Sequence, residues 1–273
     1  MKELKKMKII FSTLAGVAAV VSLGLLMYHT NSANATEKRP GQKDAVVIAE
    51  LFTSEGCSSC PSADRLLARI VKDQPIRGAF VVALSEHVDY WNRLGWKDPY
   101  SSEAYTNRQR DYAQRLKLDS VYTPQLVIDG QKEFVGSDEE SARTSIANAA
   151  KQPKANITIT KPEGETLKSE INLPYKIESV PAARKGDEIE IFGAITEDST
   201  RSHVSAGENS GSTLDHVSVV RVLKKMGALD GKSVFEGKTN LNLGSLNPEK
   251  SHLVIFLQER KSRRILGAAT QKL

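Results

Sequence analysis

The cysteine pair at positions 57 and 60 restricts what this chain can fold into more than any other feature of its sequence. Cys57 and Cys60 are the only cysteines among 273 residues. They follow a mostly apolar run at residues 46–52, which predicts a strand buried on both faces, and they precede a helical apolar pattern that reaches Ile70. A cysteine at a helix start lies near unpaired N–H groups and the positive end of the helix dipole, which lower the pKa of a thiol. The pattern therefore predicts a reactive thiol pair between a strand and a helix.

Two other uses of a C-x-x-C pair fit the same residues. The pair could form a purely structural disulfide, as in many exported proteins. A zinc site usually needs four ligands, and the chain has no second cysteine pair. Cuprous copper prefers soft thiolates, so Cys57 and Cys60 together with His87 would suit it better. The structural disulfide and the copper site stay open as alternatives.

The first 35 residues have the layout of a secretory signal peptide. Residues 2–8 are rich in lysine, residues 9–28 are apolar, and an A-x-A site ends at Ala35. We expect cleavage after Ala35 and a periplasmic or secreted location, where disulfides persist. The apolar run is nearly long enough to span a bilayer, so an uncleaved anchor in the inner membrane is the alternative. In that case the N-terminal segment is the only membrane contact that we expect.

Length and charge set limits on the remainder of the chain. The formal net charge is +5. Four lysines against one glutamate in residues 2–8 account for +3 of it, which leaves +2 for the rest. This small charge, without a basic patch interleaved with aromatic residues, predicts no nucleic-acid partner. A length of 273 residues favours two domains.

Strands and helices are predicted to alternate over residues 44–152, after a polar linker at residues 36–43. The elements predicted after the first strand are a helix at 60–71, a strand at 79–84, a helix at 101–118, a hairpin of strands 125–128 and 132–135, and a helix at 137–150. A strand, a helix and a second strand in succession predict a parallel pair with a right-handed crossover. The order β-α-β-α-β-β-α is that of a thioredoxin fold.

Thr123 and Pro124 directly precede the third predicted strand. A proline at this point removes a hydrogen-bond donor from the sheet and needs a structural reason. In a thioredoxin-like fold the reason is a cis peptide bond that brings the backbone beside the cysteine pair. We therefore predict that the Thr123–Pro124 bond is cis and forms part of the site.

His87 ends the second predicted strand. The carboxyl ends of parallel strands share one edge of the sheet with the first strand–helix turn, so His87 could approach Cys57 there. It would stabilise a thiolate as a cation or accept its proton as a base. The alternative is a structural hydrogen bond to Asp89 or Tyr90. Glu55 would oppose thiolate formation if its carboxylate pointed at Cys57.

Beyond residue 152 the pattern changes to alternating strands. Strands are predicted at residues 157–160, 167–173, 188–196, 217–223, 241–243, 253–258 and 265–269. We predict an all-β domain over residues 153–273, arranged as a sandwich of about seven strands. A polar loop predicted at residues 197–215 is long enough to fold over the cysteine-bearing face. The histidines of this segment, His203, His216 and His252, show no ligand spacing, so structural or exposed positions are expected for them.

Four motifs in order resemble a bacterial family of secreted thioredoxin-like proteins of unknown function. They are FTSEGCSSCP at 52–61, HVDYW at 87–91, LGW at 94–96 and VYTPQ at 121–125. Gly207-Glu208-Asn209 and Leu214-Asp215-His216-Val217 also match the family's C-terminal pattern. The resemblance covers nearly the whole mature chain. It implies a thioredoxin-like domain, an exported location and a thiol-based site, and it supplies no substrate.

These observations predict an exported thiol–disulfide oxidoreductase with a thioredoxin-like domain at 44–152. Cys57, expected nearer solvent, attacks as a thiolate, and Cys60 resolves the mixed disulfide. His87, Thr123 and Pro124 complete the predicted site. The redox-active disulfide takes the place of a cofactor, and the expected partner is a thiol or disulfide substrate protein or a small thiol. The alternatives are a copper-binding or delivery protein and a non-catalytic binding module with a structural disulfide.

Overall fold

The structure is a computed structural model that describes residues 44–162, 169–229, 231 and 234–273. The predicted signal peptide (1–35) and linker (36–43) lie outside these residues. Residues 44–152 contain, in chain order, β1 (Ala45–Thr53), α1 (Cys60–Asp73), β2 (Ala79–His87), α2 (Glu103–Leu116), β3 (Gln125–Ile128), β4 (Lys132–Val135) and α3 (Glu139–Ala149). The predicted order of strands and helices over residues 44–152 is confirmed. A short 3-10 turn at Asn92–Leu94 lies between β2 and α2.

Beyond residue 152 the described residues form strands and one 3-10 turn (Pro248–Lys250). The strands are β5 (Asn156–Ile159), β6 (Glu170–Ile171), β7 (Pro174–Glu178), β8 (Ile189–His203), β9 (Thr213–Leu229), β10 (Phe235–Lys238), β11 (Leu241–Asn242), β12 (Ser251–Glu259) and β13 (Ile265–Lys272). The strand predicted at 167–173 lies partly outside the described residues.

One large mixed sheet contains strands from both halves of the chain. Its eight strands lie in the order β13-β12-β8-β9-β2-β1-β3-β4, and two small sheets, β10-β7-β5 and β11-β6, accompany it. The pair β1–β2 is parallel, as predicted. The two halves join where β2 pairs in parallel with β9, at Ser85 and Val219. This join brings the β8–β9 hairpin alongside the strand that carries His87.

The hairpin formed by β8 and β9 is longer than the sequence indicates. Its antiparallel pairing continues to His203 and Thr213. The polar loop predicted at residues 197–215 is therefore wrong except for residues 204–212, which we call the β8–β9 tip. Polar residues that face solvent on both strands hide the alternation that would mark them as strands.

Alternation along β1 divides the interior into two layers. Val47, Ala49 and Leu51 contact the apolar face of α1, and α3 packs in the same core. Ile48, on the opposite face, packs with Tyr105 of α2 and with residues of β8 and β12. Successive side chains of a strand point to opposite faces, and consecutive side chains of β1 are buried from Val47 onward. Both faces of β1 are therefore buried, as predicted.

The small sheets cover the far end of the large sheet through a separate core, in which Leu173 and Ile177 pack with Ile191 and Ile255. The described residues after position 43 form one compact unit. The boundary predicted after residue 152 falls inside this unit, at the change from mixed α/β to β structure. Of the helices in the described part of the chain, none is long and apolar enough to span a bilayer.

Candidate functional site

The two cysteines form a disulfide at the beginning of α1. Cys60 is the first residue of the helix and Pro61 lies in its first turn, where a missing N–H costs little. The N–H of Cys60 donates to the carbonyl of Cys57 at 3.2 Å, so the chain turns tightly between the two cysteines. The disulfide thus lies at the end of the helix whose dipole favours a negative charge.

Both sulfur-bearing side chains are covered. Cys57 is 1% exposed and Cys60 is fully buried, whereas Ser58 and Ser59 between them face solvent. Cys57 is thus barely more exposed than Cys60, and the expectation that its sulfur faces water is wrong. One reason is local, since a Cβ at Gly56 would lie only 3.0 Å from the Cβ of Trp91, and the turn before Cys57 therefore packs tightly. The other reason is that the β8–β9 tip lies over the turn that carries the cysteines.

The β8–β9 tip closes over the cysteine turn through three hydrogen bonds. Nδ2 of Asn209 donates to the carbonyl oxygens of Glu55, at 2.8 Å, and Cys57, at 2.9 Å. The backbone N–H of Ser58 donates to Oε2 of Glu208 at 2.9 Å. This bond lowers the pKa of Glu208, because it stabilises the carboxylate. The prediction that this loop folds over the cysteine-bearing face is confirmed.

The Thr123–Pro124 bond is cis, as predicted. Its neighbours place it beside α1: a Cβ at Gly136 would lie 3.2 Å from the Cβ of Pro124 and 3.1 Å from that of Ala63, in the first turn of the helix. Nε1 of Trp91 donates to Oγ1 of Thr123 at 2.8 Å. Trp91, which contacts Gly56 as well, therefore links this segment to the turn that carries Cys57.

His87 is fully buried at the end of β2 and pairs with a carboxylate that the sequence did not indicate. Its Nδ1 donates to Oδ2 of Asp98 at 2.7 Å. The alternative bonds to Asp89 or Tyr90 are not formed: Asp89 accepts from the hydroxyl of Thr106, and the hydroxyl of Tyr90 donates to Gln109. Burial alone would raise the pKa of Asp98. The interaction with His87 and the hydrogen bonds from backbone N–H groups have the larger, opposite effect, so this pKa lies below its usual value.

The other nitrogen of His87 does not reach the sulfurs. Nε2 is buried without a hydrogen-bond partner among the described residues, so it makes no hydrogen bond to Cys57 or Cys60. In the same part of the chain, no group of three or more histidine, cysteine, aspartate and glutamate side chains is arranged to hold a metal ion. The copper alternative built on Cys57, Cys60 and His87 receives no support from this geometry.

His216, on β9, is the residue that sequence reasoning missed. Its ring centre lies 4.7 Å from that of His87. Nε2 donates to Oε1 of Glu55 at 3.3 Å, and Nδ1 lies 3.5 Å from Oδ2 of Asp64 in an ion-pair contact without hydrogen-bond geometry. Burial lowers the pKa of His216, but the carboxylates of Asp64 and Glu55 outweigh it and raise the pKa to about 10. The ring is therefore an imidazolium at neutral pH.

The carboxylate of Glu55 is held by two donors. Nε1 of Trp96 donates to Oε2 at 2.7 Å, and His216 donates to Oε1. Asp64 lies one helical turn after Cys60, which places the two on the same side of α1. The cysteine pair thus borders a buried network in which one imidazolium offsets one of the two negative charges of Glu55 and Asp64. The match of residues 214–217 to the family pattern was the one sequence signal for His216.

Residues 48–258 match the family described as "Protein of unknown function (DUF1223)". The chain belongs to that family. No curated protein matches this DUF1223 chain.

Two solved structures resemble the DUF1223 chain over most of its length. The crystal structure of a protein from Agrobacterium tumefaciens has a TM-score of 0.65 and 26% identity, and covers 84% of this chain and 95% of its own. HBP35 of Porphyromonas gingivalis has a TM-score of 0.62 and 15% identity, and covers 84% of this chain and 76% of its own. The second likeness concerns the fold alone. Both support a mixed α/β fold built on a large mixed sheet.

A second buried charge cluster lies between α2 and the sheet, away from the disulfide. Arg108 is buried and donates to Oε2 of Glu50 at 2.5 Å and to Oε1 of Gln258 at 3.0 Å. The hydroxyl of Tyr112 donates to the other oxygen of Glu50. Burial raises the pKa of the nearby Glu86 well above its usual range. This cluster ties α2 to β1 and β12, and we assign it a structural role.

Proposed function

We propose that this DUF1223 protein is an exported thiol–disulfide oxidoreductase whose residues 44–152 form a thioredoxin-like domain. The observation that carries the proposal is the position of the Cys57–Cys60 disulfide. It lies at the start of α1, and the segment Thr123–Pro124 lies beside the first turn of that helix. A helix start favours the thiolate that exchange requires.

The proposed reaction transfers two electrons and two protons between two thiol pairs. A thiolate of a substrate dithiol attacks the Cys57 sulfur, the Cys57–Cys60 bond breaks, and Cys60 leaves as a thiolate that takes up a proton. The second substrate thiol loses its proton and attacks the substrate sulfur of the mixed disulfide. Cys57 is then released and protonated. The substrate becomes a disulfide, the protein becomes a dithiol, and the reverse sequence reduces a substrate disulfide.

The buried network supports this chemistry through its charge. Glu55 and Asp64 alone would raise the pKa of a neighbouring thiol, because two negative charges disfavour a third. The His216 imidazolium between them offsets that effect. We therefore assign His216 the role of a positioning residue that keeps the surroundings of Cys57 and Cys60 from being doubly negative.

The test mixes the oxidised protein with a reduced peptide that contains two cysteines. The wild type should oxidise the peptide and become reduced, and Cys57→Ser, which has no disulfide, should be inactive. Cys60→Ser is given the same peptide in its disulfide form, and its Cys57 thiolate should attack that disulfide and accumulate a mixed disulfide seen as an added mass, because the resolving thiol is missing. Ser145→Ala, on α3, serves as the matched control and should keep full activity. If the peptide stays reduced, and loss of the disulfide only destabilises the fold, then the Cys57–Cys60 disulfide is purely structural and the proposal fails.

Export is the second part of the proposal and has its own test. It is supported by the lysine-rich start, the apolar run and the A-x-A site of residues 1–35. Expression of the full chain in a bacterial host, followed by N-terminal sequencing of the periplasmic fraction, should give a mature protein that begins at Thr36. A product that keeps residues 1–35 and sediments with membranes would favour the uncleaved anchor, and a cytoplasmic product would overturn export.

A further inference from the structure

The β8–β9 tip uses the hydrogen-bonding groups that an incoming substrate would need. Reaction at Cys57 requires a thiolate to reach a sulfur whose residue is only 1% exposed. The carbonyl of Cys57 and the N–H of Ser58 are the backbone groups next to that sulfur. Both are taken, the first by the amide of Asn209 and the second by the carboxylate of Glu208.

The outer side of the tip faces solvent. Ser205, Glu208 and Ser210 are exposed, whereas Val204 at the base of the tip and Asn209, against the cysteine turn, are buried. Within the tip, the N–H of Val204 donates to the carbonyl oxygen of Ser212, and the N–H of Gly211 donates to the carbonyl oxygen of Val204. The tip can therefore lose its three bonds to the cysteine turn while the hairpin behind it keeps its pairing.

We propose that Glu208 and Asn209 are specificity-determining residues that reserve the disulfide for extended polypeptide substrates. This inference rests on the proposed function. An extended peptide carries N–H and C=O groups along its backbone, so it can replace each bond that the tip gives up. A small thiol without peptide groups, such as dithiothreitol, cannot replace these bonds and meets a closed site. Displacement of the tip thus favours a cysteine-containing peptide segment over a free thiol of low molecular mass.

The test compares two reductants on the oxidised full chain. One is dithiothreitol, and the other is a reduced ten-residue peptide with two cysteines. The variants are Glu208→Gln, Asn209→Ala and their combination, with Ser210→Ala as the control, because its hydroxyl bonds only within the tip, to the carbonyl of Ser205. The rate at which Cys57–Cys60 opens is followed by alkylation and mass measurement, and equal thermal unfolding temperatures confirm that each variant is folded.

The double variant should react with dithiothreitol about tenfold faster than the wild type, as expected for the loss of hydrogen bonds of ordinary net strength. The rate with the peptide should increase less, so the ratio of the peptide rate to the dithiothreitol rate should fall severalfold. Ser210→Ala should change neither rate. An unchanged ratio, or an unchanged dithiothreitol rate, overturns the inference.

The two proposals fail in different ways. If the wild type never oxidises the peptide but the double variant still opens faster with dithiothreitol, the tip is a cover over a structural disulfide. In that case the oxidoreductase proposal fails and the substrate-class inference falls with it. If the wild type turns over the peptide and the tip variants behave like the wild type, only the inference fails.

Discussion

Replacing His216 by glutamine should destabilise the protein strongly at pH 6 and weakly at pH 9. His216 lies between Glu55 and Asp64, with the rings of His87 and Tyr100 on its other sides. Its pKa is raised from about 6.5 to about 10. A tenfold change in proton affinity is about 1.4 kcal/mol, so the protonated ring contributes at most about 5 kcal/mol. A group whose folded pKa is raised supplies this stability below its unfolded pKa and loses it as the pH approaches the folded pKa.

The assay is urea unfolding of the oxidised protein, followed by circular dichroism at both pH values. Glutamine stands in for a neutral imidazole, so the pH-dependent part of the difference reports the imidazolium. The free energy of unfolding of the wild type should exceed that of His216→Gln by about 5 kcal/mol at pH 6 and by about 1.4 kcal/mol at pH 9. His203→Gln, an exposed histidine beside Thr213, should change stability by less than about 0.5 kcal/mol at either pH. An equal loss at both pH values would refute a charged His216.

Three further substitutions test the surrounding structure by urea unfolding at pH 7. Arg108→Leu leaves the buried carboxylates around Glu50 without their cation and should lower the free energy of unfolding by about 3–5 kcal/mol. The control Arg201→Leu breaks an exposed ion pair and should lower it by less than about 1 kcal/mol. Similar losses in the two variants would contradict a structural role for the buried cluster. Gly130→Ala places a Cβ 1.9 Å from a backbone oxygen and should cost more than about 4 kcal/mol, whereas Gly186→Ala, also at positive φ but with open space, should cost about 1–2 kcal/mol. Trp96→Phe removes the indole donor to a buried carboxylate and should cost about 1.5–3 kcal/mol; a loss below 0.5 kcal/mol would mean that the bond is not formed.

Local patterns were sufficient to predict the first half of the fold. The helix after the cysteines and the hairpin turn between β3 and β4 each depend on residues close together in sequence, where a helical period or a turn dipeptide carries the information. The cis bond at Pro124 was predicted from the thioredoxin-like order of the elements, because a proline before a strand is by itself more often trans. Most strands after residue 152 were predicted from alternation, but β7 and β10 were not, and β8 and β9 extend beyond their predicted bounds. The predicted seven-stranded sandwich is wrong, because β8, β9, β12 and β13 belong to the large sheet that also contains β1 to β4.

The site itself depends on contacts that no local pattern encodes. Asn209 reaches Cys57 across 152 positions of sequence, so the burial of the disulfide could not be predicted from the residues around it. His216 reaches Glu55 across 161 positions, and its strand was predicted without its partners. His87 was placed at the correct strand end, but its partner is Asp98, which lies beyond the 3-10 turn.

The central claim is that Cys57 and Cys60 exchange electrons with a partner, and their reduction potential tests it most directly. Equilibration of the protein in glutathione buffers of defined ratio, with the oxidised fraction read by alkylation, gives this value. We predict a potential between about −270 and −120 mV, the range of thiol–disulfide oxidoreductases. A potential below about −300 mV, typical of structural disulfides, would contradict the account.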